Sequence, residues 1–592
     1  MRTTIFKVYP LLLFFASLGL AATNVPQNPI PVDDAVTINK CGGCHKRSDD
    51  GVMRRISYIR TTPEVWEQAI KRMIRLHGVS VSPQEASHIV RYLSANNGLA
   101  PEEAKPIFWE AEHVLFRDQE DPNLTPDAMQ HVCNYCHTIG RVLGQRRTRA
   151  DYEKLATMHV ALFPYTDMMV FNPIPSAESV DQIPVTTTTV GSYETRVTYP
   201  KPPEPRADGK SPLSVALDYL EDKQPLITPE WLAWKAVMQA PKLAGTWLID
   251  GYQKGRGRVY GEMTVEPGSS ADDFATKITL HYAGSGQEIK EAGKGIVYTG
   301  YSWRGRAKPD AAASADPSFS PAEMKQALFV ARDGSAIDGR FYWGGYDEFG
   351  IDVHLTRPGS GIVLHGTDKF AVKSPSTNQL RVFGANFPAG LKPADFDLGR
   401  GIKVTRITES KPTELLLDIA VDSGVPSGMH DLSLRGVTAA KAFAVYDKVG
   451  YIKVMPDASF ARLGGTIAAK QYAQFEAVAF ANGPDGKSDT DDDVELGPVT
   501  ASWSLEEFIS GPNDDDVKFV GKINDSGLFT PNLEGPNPER KKQYNNFGTD
   551  NYGDVWVDAS YKPEDGPPLR ARSYLVVTVP QYIHYDQPEV SQ

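Results

Sequence analysis

Apolar residues recur at helical spacing through about the first 240 positions and in short alternating runs after that. Leu11 to Leu20 is an apolar stretch too short to span a bilayer comfortably. A helix is expected over Val32–Lys40. Thr61-Thr62-Pro63-Glu64 opens the next, with a threonine cap and proline in the first turn. It carries Val65, Trp66, Ala69, Ile70 and Met73 on one side and stops at Gly78. Ser82-Pro83-Gln84-Glu85 opens a third helix, which ends at Asn97-Gly98. The same grammar returns at Thr125-Pro126-Asp127, at Asp151 to Leu155 and at Ser211-Pro212, interrupted by a proline- and threonine-rich stretch around 165–210 that reads as an insertion.

From about residue 243 the period changes. Gly245 to Trp247, Arg258 to Val265, Lys277 to Tyr282, Gly295 to Tyr301, Gln326 to Ala331, Gly339 to Trp343 and Gly350 to Leu355 read as strands of an antiparallel barrel-like domain. Gly255, Gly257 and Gly261 are taken as turn glycines, because no helix follows for a dinucleotide loop. Leu380 to Phe383, Ile402 to Ile407, Glu414 to Ile419 and Asp431 to Leu434 alternate as in an immunoglobulin-like sandwich. Phe475 to Phe480, Val499 to Trp503, Val555 to Val557 and Leu575 to Val579 suggest a second one.

Composition adds little to this pattern. The chain has 592 residues, too many for one core, and a net charge of −12, which argues against nucleic acid as a partner. At the N-terminus, Arg2 and Lys7 precede the apolar stretch, and Gly19, Ala21 and Ala22 follow as small residues. That is the form of a cleaved secretory signal, so a periplasmic protein without a membrane span is expected.

The chemistry is concentrated in two short motifs. Cys41-Gly42-Gly43-Cys44-His45 and Cys133-Asn134-Tyr135-Cys136-His137 each have two cysteines two residues apart and a histidine immediately after. That spacing is the attachment site of a c-type haem: each thiol adds to a vinyl group, and the histidine is then an axial iron ligand. A four-cysteine zinc site would leave His45 and His137 unexplained, and a thioredoxin-like pair needs no histidine there. The helical regions around the motifs therefore read as two class I cytochrome c folds in tandem. The fold class is multidomain, α followed by all-β. The expected divisions are a signal at 1–22, cytochrome units at 23–100 and 101–240, a barrel-like domain at 241–357, and immunoglobulin-like domains at 358–436 and 437–592. All four cysteines of the chain lie in the two motifs, so neither a disulfide nor a catalytic thiolate is expected.

Each iron needs a sixth ligand or an open site. Trp66 and Met73 stand seven apart, as do Tyr152 and His159, which proposes Met73 for the first haem and His159 for the second. His77, one turn beyond Met73, and Met158, beside His159, are the competing ligands. A Met/His iron has the higher potential and a bis-His iron the lower. His88, His113 and His131 read as surface or packing residues. Asp485, Asp489, Asp491, Asp492 and Asp493 form an acidic run that offers calcium ligands without a complete EF-hand pattern, and Asp514 to Asp516 is a weaker run of the same kind.

Two haem motifs followed by a barrel-like domain and two immunoglobulin-like domains resemble the α subunit of quinohemoprotein amine dehydrogenase, over essentially the whole mature chain. The motifs are specific for haem, and the order of domains carries the resemblance. It implies a heterotrimer. In it, a small subunit bears a cysteine tryptophylquinone that oxidises a primary amine to aldehyde and ammonia. A propeller-type subunit helps enclose that subunit. The α subunit passes electrons through its haems to a soluble cytochrome c or blue-copper protein. With its cysteines committed to haem, this chain is not expected to carry the quinone or to oxidise amine alone. A dihaem peroxidase, the electron-transfer subunit of another periplasmic dehydrogenase, and a surface-binding protein with ancillary haems are the alternatives.

Overall fold

The computed structural model describes residues 25–107, 126–129, 132–133, 139–171, 188–190, 193–195, 209–509, 514–541 and 548–580. The signal segment, Cys136, His137, His113 and His131 lie outside the described residues.

The first helical unit is α1 (Ala35–Cys41), a short strand β1 (Ile59–Thr61), α2 (Pro63–His77) and α3 (Pro83–Asn97). Both α1 and α2 pack on α3. Their shared core contains Val32, Met53, Ile56, Trp66, Ile89 and Leu93. Ser82 caps α3 with a full capping box to Glu85. Thr62 precedes α2 in extended conformation, but its hydroxyl makes no capping bond and is buried without a partner, contrary to the expected threonine cap.

The second unit repeats the arrangement. A strand β2 (Gln145–Arg147) leads into α4 (Arg149–Leu162), which packs on α5 (Pro212–Lys223). The turn Asp127–Met129, just before Cys133, packs on α5 as well. β1 and β2 pair antiparallel, Ile59 opposite Arg147 and Thr61 opposite Gln145, so the two units are joined by a backbone ladder.

α6 (Pro229–Lys235) leads into an eight-stranded closed barrel in which neighbours in sequence are neighbours in space. Its strands are β3 (Gly245–Gln253), β4 (Gly257–Pro267), β5 (Asp273–Tyr282), β6 (Glu288–Tyr298), β7 (Ser302–Pro309), β8 (Met324–Val330), β9 (Ala336–Trp343) and β10 (Phe349–Thr356). Trp247, Trp303 and Phe341 fill the lumen, and this core continues into Leu99, Leu226, Trp231 and Trp234 of the helical region. Gly295 is required by Trp303: a Cβ there would stand 2.0 Å from the indole. Gly255 and Gly257 do form the β3–β4 turn with positive φ, but Gly261 is a mid-strand residue of β4, where a Cβ would collide with the Thr279 carbonyl.

Behind the barrel, two four-stranded sheets enclose one core. The first holds Val363–Thr367, Ser376–Ala385, Glu414–Val421 and Ile402–Ser410. The second holds Ala371–Lys373, Val437–Tyr446, Gly428–Leu434 and Phe396–Asp397. A further β unit follows, built around Phe475, Phe529, Val555, Val557 and Leu575. The run from Val499 to Trp503 is not one strand: Val494–Val499 and Ser502–Glu507 belong to different sheets. No helix among the described residues is long and apolar enough to cross a membrane.

Candidate haem centres

The first motif grows out of the end of α1. Asp34 caps that helix, accepting bonds from the Thr37 amide (2.7 Å) and hydroxyl (2.8 Å). His88 on α3 donates Nε2–H to the other Asp34 oxygen at 2.8 Å. Burial works against ionisation of Asp34, but these bonds outweigh it and hold the carboxyl below its ordinary range. His88 is therefore a brace for the motif helix as well as a surface residue.

Beyond Cys41 the chain continues for one more turn. The amides of Cys44 (3.2 Å) and His45 (2.8 Å) both bond to the Cys41 carbonyl, which holds Cys41, Cys44 and His45 within one turn. Cys41 is half-buried and Cys44 exposed, and burial pushes the Cys41 thiol up. The His45 ring is fixed by Nδ1, which lies 3.0 Å from the Arg54 carbonyl. A carbonyl only accepts, so Nδ1 carries the proton and Nε2 keeps its lone pair for a metal.

Of the second motif, Cys133 lies within the described residues. Cys133 is half-buried with Sγ 3.8 Å from the Met129 sulfur, and burial pushes its thiol up to about 12. On α4, His159 Nδ1 donates to the Leu155 carbonyl at 2.8 Å, again leaving Nε2 unprotonated. Its ring tilts against Phe171 at 6.2 Å. Burial lowers the His159 pKa. The backbone bond opposes this, and Arg141, Arg147 and Arg72 reinforce it, so the ring is neutral near pH 7.

Met73 and His159 occupy equivalent places. Thr62 and Thr148 are the residues before α2 and α4, and Met73 and His159 are each the eleventh residue beyond them. Trp66 and Tyr152, four beyond the same threonines, are both buried. Met73 is half-buried and His77 exposed, while Met158 and His159 are both half-buried. The donor types fit haem iron: thiols and an oriented imidazole in the first motif, and a thioether or neutral imidazole on a following helix of each unit. Exposed Ile74 and Leu76 on α2, and Leu162, Phe163 and Tyr165 after His159, supply apolar surface beside those side chains.

Buried ion pairs fix the two units and the barrel to each other. Arg60 on β1 binds Glu103 through both oxygens (2.7 and 2.8 Å), and Arg146 on β2 approaches the same carboxylate at 3.3 Å. Burial alone would raise the Glu103 pKa, but Arg60 and Arg146 hold it down to about 2. Glu64, in the first turn of α2, pairs with Arg304 of the barrel at 2.6 Å, both side chains fully buried. Sequence reasoning found none of these pairs, because the partners are remote in the chain.

The acidic run from Asp485 closes on itself. Asp493 accepts from the amides of Gly483 and Thr490 and from Tyr451, Asp492 accepts from Thr490, and Asp489 pairs with Lys453. Among the described residues, the carboxylates close enough to share a metal ion are Glu507, Asp514 and Asp516. There Arg540 already supplies a cation to Asp516.

Four family models match the chain. One, described as the haem-binding part of quinohemoprotein amine dehydrogenase alpha subunit, covers residues 32–172. Those for alpha subunit domains II, III and IV cover 240–358, 370–447 and 452–590. The chain belongs to the quinohemoprotein amine dehydrogenase alpha-subunit family. It is thus a haem-binding subunit of an amine dehydrogenase family of oxidoreductases, which implies a multi-subunit complex.

No curated protein matches the sequence. Among solved structures, a redesigned β-barrel is similar at 17% identity, covering 20% of this chain and 92% of its own, with a TM-score of 0.16. Protocadherin Gamma C5 EC1-3 is similar at 9% identity over 45% of this chain and 88% of its own (TM-score 0.15). A Bacteroides ovatus protein, SGBP-B of a mixed-linkage glucan utilization locus, is similar at 11% identity over 56% of this chain and 61% of its own (TM-score 0.15). Likenesses at these scores carry no functional argument.

Proposed function

We propose that this chain is the dihaem c electron-transfer subunit of a periplasmic quinohemoprotein amine dehydrogenase. Its two class I cytochrome units precede a barrel and two immunoglobulin-like domains that serve as scaffold and interface. Haem c is attached at Cys41 and Cys44, with His45 as iron ligand, and at Cys133 and Cys136, with His137. Met73 and His159 are the sixth ligands. The observation that carries this reading is the equivalent position of Met73 on α2 and His159 on α4, in two units joined through β1 and β2.

Bound haem supplies a one-electron ferric/ferrous couple. The protein's own residues orient it. The Arg54 carbonyl holds the His45 tautomer, the Leu155 carbonyl holds that of His159, and Asp34 with His88 fixes the helix from which the first motif leaves. A thioether at the first centre and a second imidazole at the other set the first potential above the second.

Oxidation of a primary amine to aldehyde and ammonia releases two electrons, which two one-electron centres accept singly. Every cysteine here lies in a haem motif, so a cysteine tryptophylquinone belongs to a small partner subunit, with a propeller-type subunit completing a heterotrimer. The external acceptor is a soluble cytochrome c or a blue-copper protein. Residues 1–22 are removed on export.

Intact-mass measurement of exported protein tests the centres. It should show two haems that survive denaturation, falling to one in Cys133→Ala/Cys136→Ala. Haem lost on denaturation, or a five-coordinate spectrum with peroxide turnover, would overturn the reading in favour of a peroxidase or another haem protein.

A further inference from the structure

The barrel lumen holds polar side chains among its aromatic ones, and pairs only some of them. The Tyr282 hydroxyl donates to Gln253 Oε1 at 2.5 Å, and Gln253 Nε2 donates to the Ser318 carbonyl at 2.6 Å. Trp303 Nε1 donates to Gln326 Oε1 at 2.9 Å. Left over are Gln326 Nε2, the Thr276 hydroxyl and both Glu291 oxygens, which are buried and make no hydrogen bond within the protein. Polar groups withdrawn from water in this way are costly unless something bonds to them.

The strand register gathers these groups around one spot. Thr276 on β5 stands opposite Gly293 on β6, and Gly293 stands opposite Ala307 on β7. Glu291 is two residues from Gly293 on the same face of β6. Gln326 on β8 stands opposite Gly305, two residues from Ala307 on the same face of β7. Thr276, Glu291 and Gln326 are therefore all direct or diagonal neighbours of the Gly293–Ala307 pair. Direct cross-strand neighbours stand about 5 Å apart and diagonal ones about 7–8 Å, within reach of glutamate and glutamine side chains. Gly293 has no side chain and Ala307 only a methyl, so neither fills the space the three polar groups border.

The chemistry of the set selects the occupant. Gln326 Nε2 only donates, a carboxylate only accepts, and the Thr276 hydroxyl does both. A metal ion or organic cation would meet a single carboxylate here and be opposed by the Gln326 amide hydrogens. Asp310 acts on Glu291 with like charge and supplies no counter-ion, and the two acids together oppose an anion. Trp247, Trp303 and Phe341 take up much of the lumen, which limits the occupant to a small molecule. Water both donates and accepts, and a buried water typically makes about three hydrogen bonds to groups of this kind.

We propose that the barrel encloses an ordered-water site bordered by Thr276, Glu291 and Gln326. The water accepts from Gln326 Nε2 and donates to Thr276 Oγ1 and to a Glu291 oxygen. The lumen is then a hydrated core whose polar groups are all bonded, and the site stands whether or not the two-haem reading does.

A high-resolution crystal structure of the full exported protein tests it. A water peak should lie within hydrogen-bond distance of Gln326 Nε2, Thr276 Oγ1 and one Glu291 oxygen. Thr276→Val, which keeps the shape and removes the hydroxyl, should lose that peak. An infrared measurement at neutral pH is independent of crystals. The carboxyl stretch present in wild type and missing from Glu291→Gln should lie at the position of a hydrogen-bonded acid. In Thr276→Val/Gln326→Leu it should move to that of a free one. A dry lumen with Glu291 bonded directly to Thr276 or Gln326, or a metal ion at the spot, overturns the proposal. So does a wild-type Glu291 stretch already at the free-acid position, a reading that needs only Glu291→Gln to fold.

Discussion

At the scale of single residues, the candidate ligands are legible in the sequence and the residues that support them are not. Attachment chemistry dictates the two Cys-x-x-Cys-His motifs, so they stand out at any fold. His159 depends on position within a helix, and its oriented tautomer depends on a carbonyl one turn away. Replacing it by methionine should raise the potential of the second haem towards that of the first and add a sulfur–iron charge-transfer band; an unchanged spectrum would exclude His159 as a ligand. Glu291 is a second case. It is 2% exposed on an inward position of β6, and both carboxylate oxygens lack partners. Burial, with a smaller contribution from Asp310, pushes its pKa to about 8 from 4.5. The folded protein then holds a proton that the unfolded chain has released, so Glu291 erodes stability as pH rises from the unfolded value to about 8. Glu291→Gln should be near neutral at pH 4 and stabilising by a few kcal/mol at pH 8. Urea melts at the two pH values check this, and equal effects at both would refute it.

At the scale of elements, the pattern found helices well and strands less evenly. The strand β7 escaped notice because two of its inward positions, Gly305 and Ala307, are too small to mark an alternation, while Arg304, Arg306 and Lys308 make it read as polar. The run Val499–Trp503 joined two strands because apolar residues continue across a change of sheet. The expected cap at Thr62 failed, whereas that at Ser82 formed with its partner Glu85, the residue type a capping box requires. Asp34 caps α1 and also receives His88. Asp34→Ala should cost about 1 kcal/mol of stability above the carboxylate range. Because the folded pKa is depressed, that contribution is lost as pH falls through it. Thermal melts at pH 7 and pH 3 should therefore show a smaller difference from wild type at the lower pH.

At the scale of the whole molecule, a helical region followed by a barrel and further β sheets was readable, but the way they lock together was not. The joints are ion pairs between residues far apart in sequence, and charged residues in isolation look like surface. Glu64→Gln, which leaves Arg304 buried beside a neutral partner, should destabilise the protein by about 3–5 kcal/mol, whereas Glu64→Leu with Arg304→Met should recover much of that loss. Chemical denaturation of these two variants against wild type separates the cost of breaking the pair from its net worth.

The central claim is that this chain conducts electrons from an amine-oxidising partner and does not oxidise amine itself. Anaerobic mixing of the ferric protein with primary amines, followed at the haem absorbance bands, tests it most directly. The account predicts no reduction by the isolated chain. When the partner subunits are present, it predicts reduction of both haems, with two electrons taken up per amine consumed. Amine-dependent haem reduction by the pure chain would contradict it.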